Sequence, residues 1–133
     1  MTLERATRHS RHNLNYHLVF VPKYRRSVLK GPVAQRLEEL FEHICKERDW
    51  VIHGLEIMPD HAHVFLSAPP KWSPSDIAKI LKGASARWLL MDYPELRARG
   101  HLWTSAFYVG SAGSVSADII GRYIAAQKSK QVD

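Results

Sequence analysis

Residues 61–66 constrain the fold most, because their side chains alternate in a way that suits a β-strand with two different faces. Successive side chains of a strand point to opposite sides. His61 and His63 therefore share one side, while Ala62, Val64 and Leu66 share the other and are predicted to face the core. Two neighbouring imidazoles on a buried strand are costly unless they are used, and neutral imidazole is the commonest metal-binding side chain. The pattern predicts two ligands of a metal site, with a third to come from elsewhere.

The remaining hydrophobic periodicity predicts an α+β fold. Apolar, β-prone segments at residues 13–22, 51–58, 61–68 and 103–109 are expected to be strands. Helical periodicity predicts helices from residue 32 to about 49, from 73 to before 94, and from about 116 to 130. Ser73 before Pro74 is a strong helix start. The order is βαββαβ followed by a helix, which is typical of a ferredoxin-like antiparallel sheet with its helices on one face. The first and third strands would be central, and the histidines would lie on the open face.

Length and composition limit the class of protein. A chain of 133 residues fits one domain, and no apolar run approaches the roughly 20 residues that cross a membrane. Cys45 is the single cysteine, and residues 1–12 lack the apolar segment of a signal peptide. We therefore expect one cytoplasmic domain over residues 1–133 and no membrane partner. The net charge of +6 favours a polyanionic partner.

The predicted last helix carries two further chemical groups. Tyr123 and Gln127 are four residues apart and therefore share a helix face. The amide oxygen of Gln127 is a suitable hard ligand for Mg²⁺ or Mn²⁺, and the phenol of Tyr123 is a candidate nucleophile. Alone the pair is a weak motif, since a tyrosine packed in the core is the ordinary case.

Several short motifs in a fixed order reproduce the pattern of one family. The chain resembles the single-tyrosine HUH transposases, small enzymes that mobilise insertion sequences as single-stranded DNA and are named for a histidine, an apolar residue and a second histidine. The residues that carry the resemblance are Asn15-Tyr16-His17, Met58-Pro59-Asp60-His61-Ala62-His63, Leu81-Lys82-Gly83-Ala84-Ser85-Ala86-Arg87, Leu102-Trp103, and Tyr123 with Gln127. The tyrosine follows the histidines, as in transposases and replication initiators, whereas relaxases place it before them.

The resemblance implies a mechanism and an assembly. His61, His63 and Gln127 would bind one divalent metal, Mg²⁺ or Mn²⁺, and Tyr123 would attack the scissile phosphate to leave a 5′-phosphotyrosine and a free 3′-hydroxyl. The substrate would be single-stranded DNA with hairpin ends. The resemblance also implies a homodimer with composite active sites, in which a tyrosine helix at residues 115–131 packs on the partner. A hinge at residues 110–114, with Gly110 and Gly113, would allow this exchange.

Other residues are assigned supporting roles. Asp60 and His17 are candidates for orienting a histidine ligand or for acting as the general base. Trp72, Trp88 and Trp103 are candidates for stacking on unpaired bases, although Trp88 falls on an apolar helix stripe and is expected in the core. Phosphate contacts are predicted for five basic residues in two clusters: Arg25, Arg26, Lys79, Lys82 and Arg87. Residues 1–11 form a further basic segment, the N-terminal arm.

Three other functions remain open from the residues. A domesticated relative would cut hairpins derived from repeats by the same chemistry. A non-catalytic ferredoxin-like module would bind RNA or DNA without metal, but it leaves the paired histidines unexplained. A metal-dependent hydrolase would use water and form no covalent intermediate.

Overall fold

A four-stranded antiparallel sheet organises the chain. In the computed structural model, residues 14–105 are described with their side chains, and residues 5–6, 11–12 and 108–111 by their backbone alone. The strands are β1 (Asn15–Phe20), β2 (Val51–Met58), β3 (His61–Ser67) and β4 (Tyr108–Ser111), in the spatial order β2-β3-β1-β4. The first and third strands are therefore central, as predicted. A separate two-residue ladder joins Arg5–Ala6 to Arg11–His12 in the N-terminal arm.

Two helices connect the strands. Helix α1 (Pro32–Glu47) begins with proline in its first turn and buries an apolar side that includes Leu37 and Phe41. Helix α2 (Pro74–Asp92) is capped by Ser73, whose hydroxyl accepts a hydrogen bond from the backbone N–H of Asp76 at 3.0 Å. The predicted α+β class is confirmed, with an antiparallel sheet and two helices. No helix of the described ranges has both the length and the apolar character needed to span a membrane.

The central strands present two distinct faces. Leu18 and Phe20 of β1, with Val64 and Leu66 of β3, join both helices in one buried core. The opposite face carries the histidines, which is the placement that the alternation predicts. The histidines lie on the side of the sheet away from the two helices, yet they are not exposed, since His61 is only 2% exposed and His63 is fully buried. The ring of His17 covers part of His63, since the two rings stack with centroids 5.2 Å apart.

The segment after α2 departs from the prediction. Trp103 forms an isolated bridge with Pro22, and β4 begins only at Tyr108, so residues 103–109 are not one continuous strand. Pro22 has no N–H for a ladder, and the chain turns sharply at residues 23–25, which ends the pairing there. Gly110 lies within β4 opposite His17. Gly113 and the predicted tyrosine helix lie outside the described residues.

Candidate functional site

Two buried histidines form the centre of the site. His61 and His63 follow a two-residue turn at Pro59 and Asp60, since Met58 pairs directly with His61. Their ring centroids are 4.7 Å apart, with the ring planes at 84°. The Nε2 atoms of both rings are buried and have no hydrogen-bond partner among the described residues. Buried polar atoms are nearly always paired, so two such nitrogens on one face indicate a position that binds a ligand. Imidazole nitrogens suit a divalent metal ion, and the residues present therefore fit such a group.

Asp60 fixes the protonation of His61. Its Oδ1 lies 2.7 Å from Nδ1 of His61, and its Oδ2 accepts a hydrogen bond from Nε of Arg25 at 2.9 Å. Partial burial raises the pKa of the Asp60 carboxyl, but the hydrogen bonds from His61 and Arg25 outweigh this and lower the pKa overall. The carboxylate can only accept, so Nδ1 of His61 carries the proton. Nε2 then holds the lone pair that a metal needs.

His17 performs the corresponding task for His63. Nε2 of His17 lies 3.0 Å from Nδ1 of His63, and the His17 ring stacks on Phe65 with centroids 4.6 Å apart. Burial lowers the pKa of both His17 and His63 to about 4, so both rings are neutral near pH 7. We assign the shared proton to Nδ1 of His63, because this choice leaves the lone pair on its buried Nε2. Neutral histidine is the form that binds metal.

Among the histidine, cysteine, aspartate and glutamate side chains of the described residues, only His61 and His63 are assigned as ligands. Within them, no group of three histidine, cysteine, aspartate or glutamate side chains converges on one point. Any third protein ligand must be an amide, hydroxyl or carbonyl, or must come from the rest of the chain. The two remaining residues of the predicted centre, Tyr123 and Gln127, lie outside the described residues.

The first predicted basic cluster is built into the structure beside the histidines. Arg25 is half exposed and paired with Asp60. Arg26 donates from Nη2 to the backbone oxygen of Leu96 at 2.6 Å and from Nε to that of Lys23 at 3.0 Å. These bonds tie the turn at residues 23–25 to the turn at Pro94–Leu96. Arg26 therefore has a structural role, whatever it contributes to binding DNA.

The second basic cluster lies on α2. Lys79 and Arg87 are exposed, whereas Lys82 is half-buried. Nζ of Lys82 donates to the backbone oxygens of Thr104 at 2.7 Å and Ser105 at 3.1 Å, and partial burial lowers its pKa. Lys82 thus fastens α2 to the segment that follows it.

The exposure of Trp88 and Trp103 is the reverse of what the sequence predicts. Trp88 is 45% exposed, so its expected place in the core is wrong, and the guanidinium of Arg87 lies 5.8 Å from its ring. Trp103 is only 5% exposed, and its indole N–H donates to Oγ of Ser85 at 3.0 Å. Trp72 packs edge-on against Trp50 with centroids 5.2 Å apart. Of the three candidates, Trp88 is the one best exposed for stacking.

The ion pair between Arg25 and Asp60 is a feature of the site that the sequence does not predict. Arg25 reaches Asp60 from a turn in which Tyr24 and Arg25 both have positive φ, 63° and 52°. Such angles favour glycine or asparagine, and neither occurs there, so the turn left no signal in the sequence. The position of Asp60 directly before the first histidine was the available clue.

Comparison with known proteins agrees with this geometry. The profile of the family described as "Transposase IS200 like" matches residues 10–127. The ISDra2 transposase TnpA of Deinococcus radiodurans is 36% identical over 123 residues, covering 90% of this chain and 88% of that protein. The transposase for insertion sequence element IS200 of Salmonella typhimurium is 32% identical over 119 residues, covering 87% and 78% respectively.

Solved structures give the same result. A crystal structure of a transposase from Deinococcus radiodurans R1 superposes with a TM-score of 0.75 and 34% identity, covering 92% of this chain and 97% of that one. A REP-associated tyrosine transposase bound to a REP hairpin shares the fold alone, at a TM-score of 0.58 and 15% identity over 82% of this chain and 61% of that chain. The chain therefore belongs to the IS200-like transposase family, whose single-tyrosine HUH enzymes act on single-stranded DNA.

Proposed function

We propose that this transposase cleaves and rejoins single-stranded DNA at the ends of an insertion sequence through a covalent link to Tyr123. His61, His63 and Gln127 would hold one divalent metal ion, Mg²⁺ or Mn²⁺. The observation that carries the proposal is the pair of buried Nε2 atoms on one face of β3 that lack a hydrogen-bond partner among the described residues. When bound there, the metal would supply positive charge to a non-bridging oxygen of the scissile phosphate.

The chain's own residues prepare this centre. Asp60 accepts a hydrogen bond from Nδ1 of His61, and in the assigned tautomer Nε2 of His17 accepts one from Nδ1 of His63. Arg25 keeps Asp60 ionised and in place. Both carboxylate oxygens of Asp60 already accept hydrogen bonds, so Asp60 is better suited to orienting His61 than to taking a proton from the nucleophile.

The proposed chemical step exchanges one phosphate ester for another. The phenolic oxygen of Tyr123 forms a bond to phosphorus, and the bond from phosphorus to the 3′-oxygen breaks. The phenol gives up its proton, and the departing 3′-oxygen takes one up to become a hydroxyl. An unperturbed tyrosine has a pKa of about 10, so the nucleophile needs positive charge nearby. The 5′-phosphotyrosine keeps the energy of the phosphodiester, which allows rejoining without ATP.

The proposed assembly rests on family resemblance. Residues 1–133 would form one domain that completes a ferredoxin-like fold, with a tyrosine helix at residues 115–131 that packs on the partner of a homodimer. In the described part, β4 ends at Ser111 beside the central strand β1, so a short linker would lead from there to the helix. The DNA would carry hairpins at the element ends, and the protein would meet it in the cytoplasm.

The decisive experiment looks for the covalent intermediate. Labelled single-stranded hairpin oligonucleotides with Mn²⁺ or Mg²⁺ are resolved on denaturing gels for the wild type, for Tyr123→Phe and for a matched control, Tyr93→Phe. We expect a metal-dependent protein–DNA adduct that only Tyr123→Phe removes. Free nicked DNA without an adduct would show that water is the nucleophile and would refute the proposal.

The histidine pair is tested with the same oligonucleotides. His61→Ala and His63→Ala should abolish the adduct yet still bind the hairpin, whereas His43→Ala, an exposed position on α1, should change neither. Retained adduct formation in both histidine variants would contradict the assigned metal centre.

The hinge is tested by the length of the linker. Deletion of Ala112 and Gly113 should impair strand transfer more than first-strand cleavage, because only transfer requires the helix to move. Equal loss of both activities would show that the linker is not a hinge.

A further inference from the structure

Gly83 lies in the interior of α2, and no packing contact within residues 14–105 requires a glycine there. Its backbone is ordinary helix, and apart from the surrounding helix a Cβ added there would meet no atom of the described residues within 4 Å. Glycine weakens a helix interior relative to alanine. Packing within the described residues therefore gains nothing from this glycine. A glycine that the described packing does not require is the residue type that allows close approach by a bound ligand.

A groove begins at this glycine. It has a volume of about 400 Å³ and runs between α2 and residues 100–105. Apolar side chains such as Leu90 and Leu102 form its base, Lys23 and His101 contribute polar groups, and none of the described residues that line it is an aspartate or a glutamate. A tight turn presents His101, which exchanges two backbone hydrogen bonds with Ala98. The groove therefore suits an anionic ligand with a flat or apolar part.

The exposed side of α2 continues the same character. Lys79, Gly83 and Arg87 are each four residues apart and lie on one face of the helix, and all three are exposed. Each cation is one turn away from the glycine, about 6 Å along the axis. A polyanion that crosses α2 at Gly83 would meet a cation on either side of the crossing.

We propose that this groove binds the sugar-phosphate backbone of the DNA substrate, which crosses α2 at Gly83 and contacts Lys23 and His101. The proposal rests on DNA being the substrate, as the proposed function requires, but it adds a second surface. Helix α2 packs on the Leu18 and Val64 face of the sheet, whereas the site histidines lie on the opposite face. Lys82 shapes the groove by holding residues 104–105 against α2.

The test separates helix stability from DNA binding. Fluorescence anisotropy measures binding of the full-length protein to a labelled DNA hairpin and to a labelled random-sequence single strand, in EDTA so that no cleavage occurs. Gly83→Ala should raise the melting temperature by a few degrees, since alanine is the better helix former. Gly83→Leu should weaken DNA binding by about tenfold or more, equivalent to at least one phosphate-directed contact. If Gly83→Leu weakens binding of the hairpin alone, the groove binds the stem. If it weakens binding of both probes, the groove binds a single strand.

Matched controls keep the outcome interpretable. Gln35→Leu places the same side chain at an exposed position of α1 and should leave binding unchanged. Lys23→Gln should reduce the salt dependence of log K by about 0.7 for a single strand, whereas Lys46→Gln should not. Unchanged binding by Gly83→Leu, or equal losses with Gln35→Leu, would overturn the proposal. Because the assay involves no metal and no tyrosine chemistry, failure of the proposed cleavage mechanism would not alter its result.

Discussion

Replacement of Asp60 by asparagine tests the metal centre through its supporting carboxylate. In the structure Oδ1 of Asp60 lies 2.7 Å from Nδ1 of His61, and Oδ2 lies 2.9 Å from Nε of Arg25. An asparagine has one oxygen that accepts and one amide group that only donates. If the oxygen faces Arg25, the amide group faces His61 and favours the tautomer with its proton on Nε2. If the oxygen faces His61, two donors confront each other at Arg25.

The expected cost follows from this mismatch. Loss of a group that orients a metal-ligating histidine typically weakens metal affinity about 10–100-fold, which equals about 1.4–2.7 kcal/mol. The folding cost should be smaller, below about 1 kcal/mol, because Arg25 is half exposed and solvent screens the ion pair. Asp60→Asn should therefore need more Mn²⁺ for half-maximal adduct formation, while excess metal restores much of the activity.

The assay is a metal titration of adduct formation, with urea denaturation as the measure of stability. Asp92→Asn is the matched control, because Asp92 also pairs with an arginine, Arg36, at 3.1 Å, but on the exposed side of the helices. The control should shift the stability slightly and the metal requirement not at all. An unchanged metal requirement in Asp60→Asn would refute the argument that this carboxylate sets the tautomer of His61.

Three further predictions concern stability, each measured by urea denaturation of the metal-free protein. Burial lowers the pKa of His17 and His63 to about 4, so the unfolded chain binds protons at a higher pH than the folded protein does. The free energy of unfolding should therefore fall from pH 6.5 towards pH 4, by up to about 3 kcal/mol for each histidine. A constant free energy of unfolding over this range would contradict their burial as neutral rings. Ser85→Ala should cost about 1–3 kcal/mol, because it leaves the buried indole N–H of Trp103 without its acceptor, and a loss within error would refute that hydrogen bond. Ser73→Ala should cost about 1 kcal/mol by removing the cap of α2, with no effect on metal affinity.

The central position of β3 in the sheet fixes the backbone of the two site histidines. Strand β3 pairs on both sides, so the backbone of His61 and His63 is fixed by two neighbours. His17 comes from one of those neighbours, β1, and reaches His63 across the sheet. A rigid sheet thus positions both ligands and one of the side chains that orient them, which favours precise placement of a metal.

Local patterns in the sequence were sufficient for most of the elements. Residues 51–58 were predicted as a strand and form β2, and the predicted cap at Ser73 begins α2. Alternation in β3 placed His61 and His63 together, because the period of a strand is the same in every sheet. The family motifs identified the class of enzyme, which the comparisons confirm.

The tertiary structure alone decided the contacts between distant segments. His17 and His63 are 46 positions apart, and Arg25 and Asp60 are 35 apart, so no local pattern could pair them. Burial of Trp103 and exposure of Trp88 likewise depend on which neighbours each helix face and loop receives. The sequence by itself determined the elements and the kind of chemistry, because periodicity, capping and motifs act over a few residues. Only packing decided which atoms meet, because hydrogen bonds and burial depend on positions that the whole fold sets.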